Sequence, residues 1–155
     1  MKLKAIFLIV ITVLLTLSCV STKLTIKNID DNAPNLTLKK DNTFLITQYS
    51  KDKKYGYHPD YPINIFYQST GNDSINQPRF LNALAGPRGE KITYKRLEIC
   101  CPFKSKRALS GAGLLDVYEI RWQGQAKPVK LYLNIYEKGV VMVPVGLSLK
   151  TVKEF

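Results

Sequence analysis

Val129-Lys-Leu-Tyr-Leu-Asn-Ile-Tyr136 is the stretch that decides the fold class, because its apolar and polar residues alternate without a break. One face of the extended chain would carry Val129, Leu131, Leu133 and Ile135, and the other Lys130, Tyr132, Asn134 and Tyr136. Successive side chains of a strand point to opposite faces, and antiparallel strands commonly have one face on the core and one in water. The stretch therefore predicts a half-buried antiparallel strand.

Further strands are predicted on both sides of this stretch. Leu114–Trp122 precedes it as a second extended segment, and Lys138-Gly139 supplies a tight turn into a third segment at 140–145. The three are predicted to form a meander, with Pro144 at an edge or a bulge because proline has no N–H to donate to a sheet. Shorter segments rich in β-branched and aromatic residues lie at 24–29, 36–38, 43–49, 63–68 and 91–99.

One helix is predicted among these strands, at Asn76–Ala85. Pro78 suits a first helical turn, apolar residues at 80, 81 and 84 recur at helical spacing, and Gly86-Pro87 ends the segment. The fold class that follows is α+β, a mostly antiparallel sheet of about six strands with one short helix laid on it. A β-sandwich is the alternative.

The first nineteen residues predict export. Lys2 and Lys4 precede an apolar run at 5–17, which is shorter than the roughly 20 residues that a transmembrane helix needs. A charged start followed by a short apolar core is typical of a secretory signal peptide. We therefore interpret residues 1–18 as the signal peptide, 19–23 as a lipidated cysteine and a tether, 24–149 as a single globular domain and 150–155 as a tail.

The Ser18-Cys19 pair resembles the end of a bacterial lipoprotein signal. In that family the cysteine receives a diacylglyceryl group and becomes the new N-terminus, and several acyl chains such as palmitate give stable anchoring. The resemblance implies lipidation of Cys19 and attachment to a membrane through that lipid. Because Val20 is not the aspartate that usually retains lipoproteins at the inner membrane, it also implies the outer membrane, facing the periplasm. Cleavage by an ordinary signal peptidase, without lipid, is the alternative.

The charge balance is strongly basic. The 155 residues carry a net charge of +11, and removal of the leader with Lys2 and Lys4 leaves +9. Basic chains often bind nucleic acid, but an exported protein rarely meets it, so a nucleic-acid partner is not expected. The scattered lysines are interpreted as a solvated surface or as a means of attracting an acidic component of the cell envelope.

Cys100 and Cys101 are the thiols that would be left if Cys19 is acylated. Their Cα atoms lie about 3.8 Å apart across a trans peptide, below the usual disulfide range of roughly 4.4–6.8 Å. A disulfide between them would therefore be strained, and strained disulfides tend to be reducible and functional. Four interpretations stay open: two inert thiols, a vicinal disulfide, an intermolecular bridge, or soft-metal binding.

A loop rich in tyrosine is the most site-like surface stretch. It spans residues 50–62 and carries Tyr55, Tyr57, His58 and Tyr61, which we take as a possible ligand-binding loop. His58 has no cysteine or second histidine nearby in sequence, so no metal site is predicted. A structural or solvent-exposed histidine is the plainer interpretation.

No catalytic set or cofactor motif stands out elsewhere. Asp116 and Glu119 on one strand would point to opposite faces and so make no acid–base pair. Asp116 with Tyr118 and Trp122 could line a pocket or form a cluster on the sheet surface. The basic loop 104–113 ends in Ser-Gly-Ala-Gly without a following Gly-Lys-Ser/Thr, and is therefore predicted to be a turn rather than a phosphate loop.

Several stretches resemble a family of short, uncharacterised bacterial lipoproteins, and together they cover most of the chain after the leader. They are Phe80-Leu-Asn-Ala-Leu, Gly86-Pro-Arg-Gly-Glu-Lys-Ile-Thr-Tyr94, Cys100-Cys-Pro-Phe103, Gly113-Leu-Leu-Asp-Val-Tyr118 and Leu131-Tyr-Leu-Asn-Ile-Tyr136. Some members carry an automatic label of 2-dehydro-3-deoxyphosphooctonate aldolase. Such an aldolase resembles a (β/α)₈ barrel of about 250 residues, which needs far more helices than this sequence offers.

Two functions are therefore expected. The first is a non-enzymatic, lipid-anchored binding or support protein of the cell envelope. The second is a thiol-dependent redox or transferase activity at Cys100-Cys101, in which a Cys/His nucleophile site with His58 stays open.

Overall fold

The computed structural model describes residues 24–66 and 73–151. The predicted signal peptide, Cys19 with its tether, and residues 152–155 of the predicted tail lie outside these ranges. Across the described ranges, no helix is long and apolar enough to cross a membrane.

Two sheets and one helix make up the described fold. In chain order the elements are β1 (Ile63–Asn64), α1 (Asp73–Leu81), β2 (Leu84–Ala85), β3 (Ile92–Lys104), β4 (Ala112–Trp122), β5 (Val129–Asn134) and β6 (Ser148–Leu149). The larger sheet has the strand order β1-β5-β4-β3, and the smaller one pairs β2 with β6. All pairs are antiparallel except β1 with β5. The predicted α+β class with a mostly antiparallel sheet is therefore confirmed.

The main core lies between α1 and one face of the larger sheet. Tyr118 and Ile120 on β4 and Leu131 and Leu133 on β5 share that face, as the alternation along β5 predicted. They pack with the helix residues Phe80 and Leu81 and with buried side chains from the loops, namely Phe44, Ile46, Tyr55, Ile65 and Val143. Burial of these large apolar side chains supplies the main driving force for folding.

The first described residues cross the opposite face of the same sheet. Ile26 packs with Phe103 and Leu115 in a second, smaller cluster. Leu24 forms a single parallel bridge with Phe103 on β3, and the Lys27 N–H donates to the Asp60 carbonyl at 2.8 Å. This segment therefore starts at the outer strand β3 and runs towards the loop that precedes β1.

The helix boundaries differ from the prediction of Asn76–Ala85. The helix starts three residues earlier, at Asp73, and ends at Leu81. Leu84 and Ala85 leave the helix to pair with β6, and the Lys150 N–H donates to the Ala83 carbonyl at 2.9 Å. Hydrogen bonds to a distant strand thus override the local helical pattern.

The predicted meander is wrong in its third strand. Residues 140–145 form no strand, and the free edge of β5 pairs instead with β1, in parallel. Val143 makes a single bridge with Tyr49, closed by hydrogen bonds from the Ser50 N–H to the Val143 carbonyl and from the Val143 N–H to the Gln48 carbonyl.

The short predicted strands are mostly absent from the described residues. The segments at 24–29, 36–38 and 43–49 form isolated bridges. Of the segment predicted at 63–68, the described residues 63–66 contain only β1. Such segments pack their apolar residues on the core without a neighbouring strand to pair with. In contrast, β3 runs beyond the predicted end at residue 99, through both cysteines, to Lys104.

Candidate functional site

Cys100 and Cys101 are joined by a disulfide within a bulge of β3. Cys100 pairs with Leu115 and Phe103 pairs with Gly113, so two residues of β3 oppose one residue of β4. Cys101 has a positive φ of 59°, and Pro102 follows it without an N–H to donate. A bulge interrupts the alternation of a strand, which lets neighbouring side chains meet that would otherwise point to opposite faces.

The vicinal disulfide was one of four interpretations, and the interpretation as two inert thiols is wrong. Both cysteines are half-buried and pack against the cluster of Ile26, Phe103 and Leu115. Their sulfurs are bonded to each other, and His58 contacts Asp60 and Tyr61, so no Cys/His nucleophile pair forms here. Among the described residues, no three His, Cys, Asp or Glu side chains converge on a metal site.

Tyr55 and Tyr57 of the tyrosine-rich loop have structural roles. The buried Tyr55 hydroxyl donates to the Val140 carbonyl at 3.2 Å and accepts from the Met142 N–H at 3.0 Å. The Tyr57 hydroxyl donates to the Val145 carbonyl at 2.7 Å. Burial raises the pKa of Tyr55, and it raises the pKa of Tyr57 to about 12. These two tyrosines therefore fasten residues 140–145 to the loop.

Tyr61 and His58 occupy the outer surface of that loop. The ammonium groups of Lys27 and Lys54 each lie 5.7 Å from the centre of the Tyr61 ring, within the range of cation–π attraction. The His58 ring meets the Tyr61 ring edge-on at 6.3 Å, and its Nδ1 accepts from the Asp60 N–H at 3.2 Å. The ring of Tyr61 is therefore already occupied by two cations of the chain itself.

Asp116 belongs to a buried network. Its carboxylate accepts hydrogen bonds from the Gln77 side-chain amide on α1 and from the Arg96 guanidinium on β3, the latter at 2.8 Å from Nε. The Tyr118 hydroxyl donates to Gln77 Oε1 at 2.7 Å. Burial, with the Asp116 charge adding to it, raises the pKa of Tyr118, and the hydrogen bond to Asp116 raises the pKa of Arg96. Such a connected network suits a structural tie between helix and sheet.

Asp116 and Glu119 point to opposite faces of β4, as predicted. Glu119 faces outward and its carboxylate accepts from Arg121 Nε at 2.7 Å. Trp122 is half-buried against the main core rather than exposed on the sheet surface. The expected cluster of Asp116, Tyr118 and Trp122 is thus divided between the polar network and the core.

A groove of about 800 Å³ lies beside the smaller sheet. We call it the basic groove. Its polar lining is Asp41, Thr43, Asn82, Arg88, Lys91, Lys150 and Thr151, and its apolar lining includes Leu84, Ala85 and Ile92. Three cations thus face one carboxylate. Lys150 is distant in sequence from the other two cations, but all three lie together in the fold. Arg88 and Lys91 lie in the turn between β2 and β3, and Lys150 directly follows β6, which pairs with β2.

The single carboxylate of the basic groove is engaged within the chain. Asp41 accepts from the Thr43 hydroxyl at 2.7 Å and from the Thr43 N–H at 3.2 Å. The hydrogen bond from the hydroxyl, with smaller contributions from Lys39 and Lys150, lowers the pKa of Asp41. The carboxylate is therefore ionised at neutral pH and bound to Thr43. Among the cations, Arg88 donates from its Nε to the Glu90 carboxylate at 2.9 Å, and its side chain is still 82% exposed.

Asn82 adds hydrogen-bonding capacity to the basic groove. Its side-chain oxygen accepts from the Tyr94 hydroxyl at 3.0 Å, so its amide N–H groups point away from that bond. An arrangement of cations and an amide is suited to binding an anion.

Sequence reasoning missed the basic groove for a definite reason. Arg88 and Lys91 lie in the turn that leads into β3, but Asp41 precedes Arg88 by 47 residues and Lys150 follows Lys91 by 59 residues. Only the pairing of β2 with β6 brings Lys150 to them, and that pairing replaced the end of a predicted helix. The chain matches no protein-family model, no curated protein and no solved structure.

Proposed function

We propose that the chain is a lipid-anchored protein of the bacterial cell envelope that binds a polyanionic envelope component in its basic groove, without catalysis. The anchor is inferred from the sequence around Cys19 and from the resemblance to short lipoproteins. The observation that carries the binding part of the proposal is the convergence of Arg88, Lys91 and Lys150 on one groove.

The chemistry of the groove favours a ligand with several negative charges. A single contact between exposed charges contributes little, roughly 0–1 kcal/mol, because water and salt screen it. Three cations that face a common groove act together only on a ligand with several anionic groups at matching distances. A phosphorylated or carboxylated envelope polymer meets that requirement, and the net charge of +9 that remains after removal of the leader draws such a polymer towards the protein.

Binding of dextran sulfate, with neutral dextran as the comparison, tests the groove. The triple substitution Arg88→Gln, Lys91→Gln and Lys150→Gln is expected to weaken dextran sulfate binding about tenfold or more. A matched control removes the same charge elsewhere, at the exposed residues Lys51, Lys53 and Lys127. Equal loss in both triple variants would mean that net charge, rather than the groove, attracts the polymer.

Intact mass spectrometry of the protein from native membranes tests the anchor. A chain that starts at Cys19 and carries the mass of acyl chains is expected. A chain cleaved elsewhere, without added lipid, would contradict the anchor. It would leave the binding part of the proposal to be tested by dextran sulfate binding.

A second candidate function is thiol–disulfide exchange at Cys100-Cys101, favoured by the half-buried vicinal disulfide. In such an exchange a partner dithiol supplies two electrons and two protons, its sulfurs become a disulfide, and both cysteines become thiols. Replacement of either cysteine by serine would abolish this activity. The same replacement leaves dextran sulfate binding in the basic groove unchanged.

A further inference from the structure

Exposed apolar side chains are concentrated at the hairpin formed by β3 and β4. Four of the nine large apolar side chains that are exposed in the described residues belong to it, namely Leu97, Ile99, Leu109 and Leu114. Leu109, in the loop 105–111 between the two strands, is fully exposed. Ile99 is 54% exposed and Leu114 is 42% exposed, and both lie on the sheet face that carries Asp116.

The loop that presents Leu109 is held in one shape. The Ser105 N–H donates to the Gly111 carbonyl at 3.1 Å, and the Gly111 N–H donates to the Ala108 carbonyl at 2.9 Å. The Ser105 hydroxyl donates to the buried Glu137 carboxylate at 2.6 Å. Ala108 is buried directly before Leu109. Leu109 therefore projects from an ordered turn. Little conformational entropy of the loop is lost when this leucine is buried against a partner.

Basic residues surround this apolar tip. Lys104 at the end of β3 and Lys106 in the loop are both exposed. Arg107, in contrast, is bound to Glu137 and to Asp31. The tip thus combines apolar side chains with two free cations, which is the chemistry that binds an anionic bilayer surface.

The chain itself brings this tip to the proposed anchor. Leu24 bridges Phe103, the second-last residue of β3 before the loop. Cys19 precedes Leu24 by five residues, a span of at most about 17 Å. The other end of β3, at Ile92, lies eleven residues from Phe103, or roughly 35 Å along the strand. An anchor at Cys19 therefore reaches the loop end of the hairpin and not its opposite end.

We propose that the tip of the β3–β4 hairpin docks on a bilayer with anionic headgroups, with Leu109 inserted and Lys104 and Lys106 against the headgroups. The docking orients the basic groove relative to the membrane. The orientation argument rests on the proposed anchor, but the affinity of the tip for lipid does not. The test therefore uses a chain without lipid.

Flotation with vesicles tests the docking. The protein is the chain from residue 19 with Cys19→Ser, which contains every residue that the structure describes, and the vesicles contain phosphatidylethanolamine with or without phosphatidylglycerol. It is expected to float with the anionic vesicles, and Leu109→Ser is expected to lower the partition coefficient about tenfold. Because Leu109 is fully exposed, this substitution leaves the core intact.

Matched variants separate the tip from other causes. Leu45→Ser changes a leucine that is 51% exposed but outside the hairpin, and it is expected to float like the unsubstituted chain. Lys104→Gln with Lys106→Gln is expected to weaken the dependence of flotation on salt. The basic-groove triple variant is expected to float normally, which keeps this result independent of dextran sulfate binding.

Failure of the lipid-free chain to float with anionic vesicles would overturn the docking proposal. Equal flotation of Leu109→Ser and the unsubstituted chain would overturn it as well. Neither result would contradict the lipid anchor, because acylation of Cys19 is tested separately, by intact mass spectrometry.

Discussion

The side-chain amide of Gln77 on α1 donates a hydrogen bond to the carboxylate of Asp116 on β4, and both side chains are buried. This bond joins residues 39 positions apart and fixes the helix against the sheet. Because Arg96 on β3 binds the other oxygen of the same carboxylate, one group holds three elements together. Asp116 is therefore better explained as a structural residue than as a general acid.

Replacement of Asp116 by alanine is expected to lower the free energy of unfolding by about 2–4 kcal/mol, because the amide of Gln77 would lose its buried acceptor and Arg96 its counter-ion. Urea denaturation followed by circular dichroism measures the loss. Glu119→Ala is the matched control, since Glu119 lies on the same strand but binds Arg121 on the outer surface. A similar loss in both variants would contradict the role of the buried network.

Asp116→Asn refines that test. The asparagine oxygen still accepts a hydrogen bond from Gln77, whereas the negative charge opposite Arg96 is lost. We expect a smaller loss than in Asp116→Ala, because Arg96 is about half exposed and water can solvate it.

The sequence was most informative where a local pattern agreed with the final packing. The alternation along 129–136 predicted β5, and Leu131 and Leu133 are buried as expected. It could not identify the neighbour of β5, because β1 is a two-residue strand whose residue Ile63 pairs with Leu133 seventy positions later. Parallel pairing over such a distance leaves no turn signal to detect.

In the tyrosine-rich loop, by contrast, the local sequence pattern did not reveal the environment of the side chains. Its polar composition predicted a surface for ligands, but the hydroxyl groups of Tyr55 and Tyr57 bind the backbone of residues 140–145. A buried tyrosine with a satisfied hydroxyl looks the same in sequence as an exposed one, since its environment is created by a segment about 85 residues away.

Tyr55→Phe is expected to lower the free energy of unfolding by about 1–3 kcal/mol. The substitution preserves the buried ring but leaves the Met142 N–H and the Val140 carbonyl without the hydroxyl that they bind. Thermal and urea denaturation measure the change. Tyr49→Phe serves as the control because Tyr49 is exposed. Equal stability of Tyr55→Phe and the unsubstituted chain would show that these two hydrogen bonds contribute nothing net.

Stability is expected to fall as the pH rises above about 10. Burial raises the pKa of Tyr57 to about 12 in the folded chain, while an unfolded tyrosine ionises near pH 10. Ionisation at intermediate pH is therefore available only to the unfolded chain. The stabilisation is complete below about pH 10 and is lost as the pH approaches about 12.

Urea midpoints measured between about pH 9 and about pH 11 check this dependence. Tyr57→Phe removes the titrating group, so the decline in its midpoint with pH should be shallower, whatever its stability at neutral pH. Tyr55 contributes in the same direction, because burial raises its pKa too. An unchanged slope in Tyr57→Phe would assign the alkaline loss to other groups.

The native protein is expected to contain Cys100 and Cys101 as an intramolecular disulfide. Its intact mass should be lower than that of the reduced protein by the mass of two hydrogen atoms, and both cysteines should be alkylated only after reduction. Cys19 acts as an internal reference, since it takes one alkyl group without reduction when it carries no lipid. Alkylation of Cys100 and Cys101 in the unreduced protein would contradict the disulfide.

The double substitution Cys100→Ser, Cys101→Ser is expected to change the free energy of unfolding by no more than about 1 kcal/mol. The closed loop contains only two residues, so the bond restricts the unfolded chain very little compared with a disulfide across a long loop. Cys101 also has a positive φ, which costs an L-residue roughly 1–2 kcal/mol and opposes that small gain. A large loss of stability measured by urea denaturation would show that the disulfide is needed to hold the bulge between β3 and β4. A small loss, together with unimpaired dextran sulfate binding, would leave thiol chemistry as the remaining role for the bond.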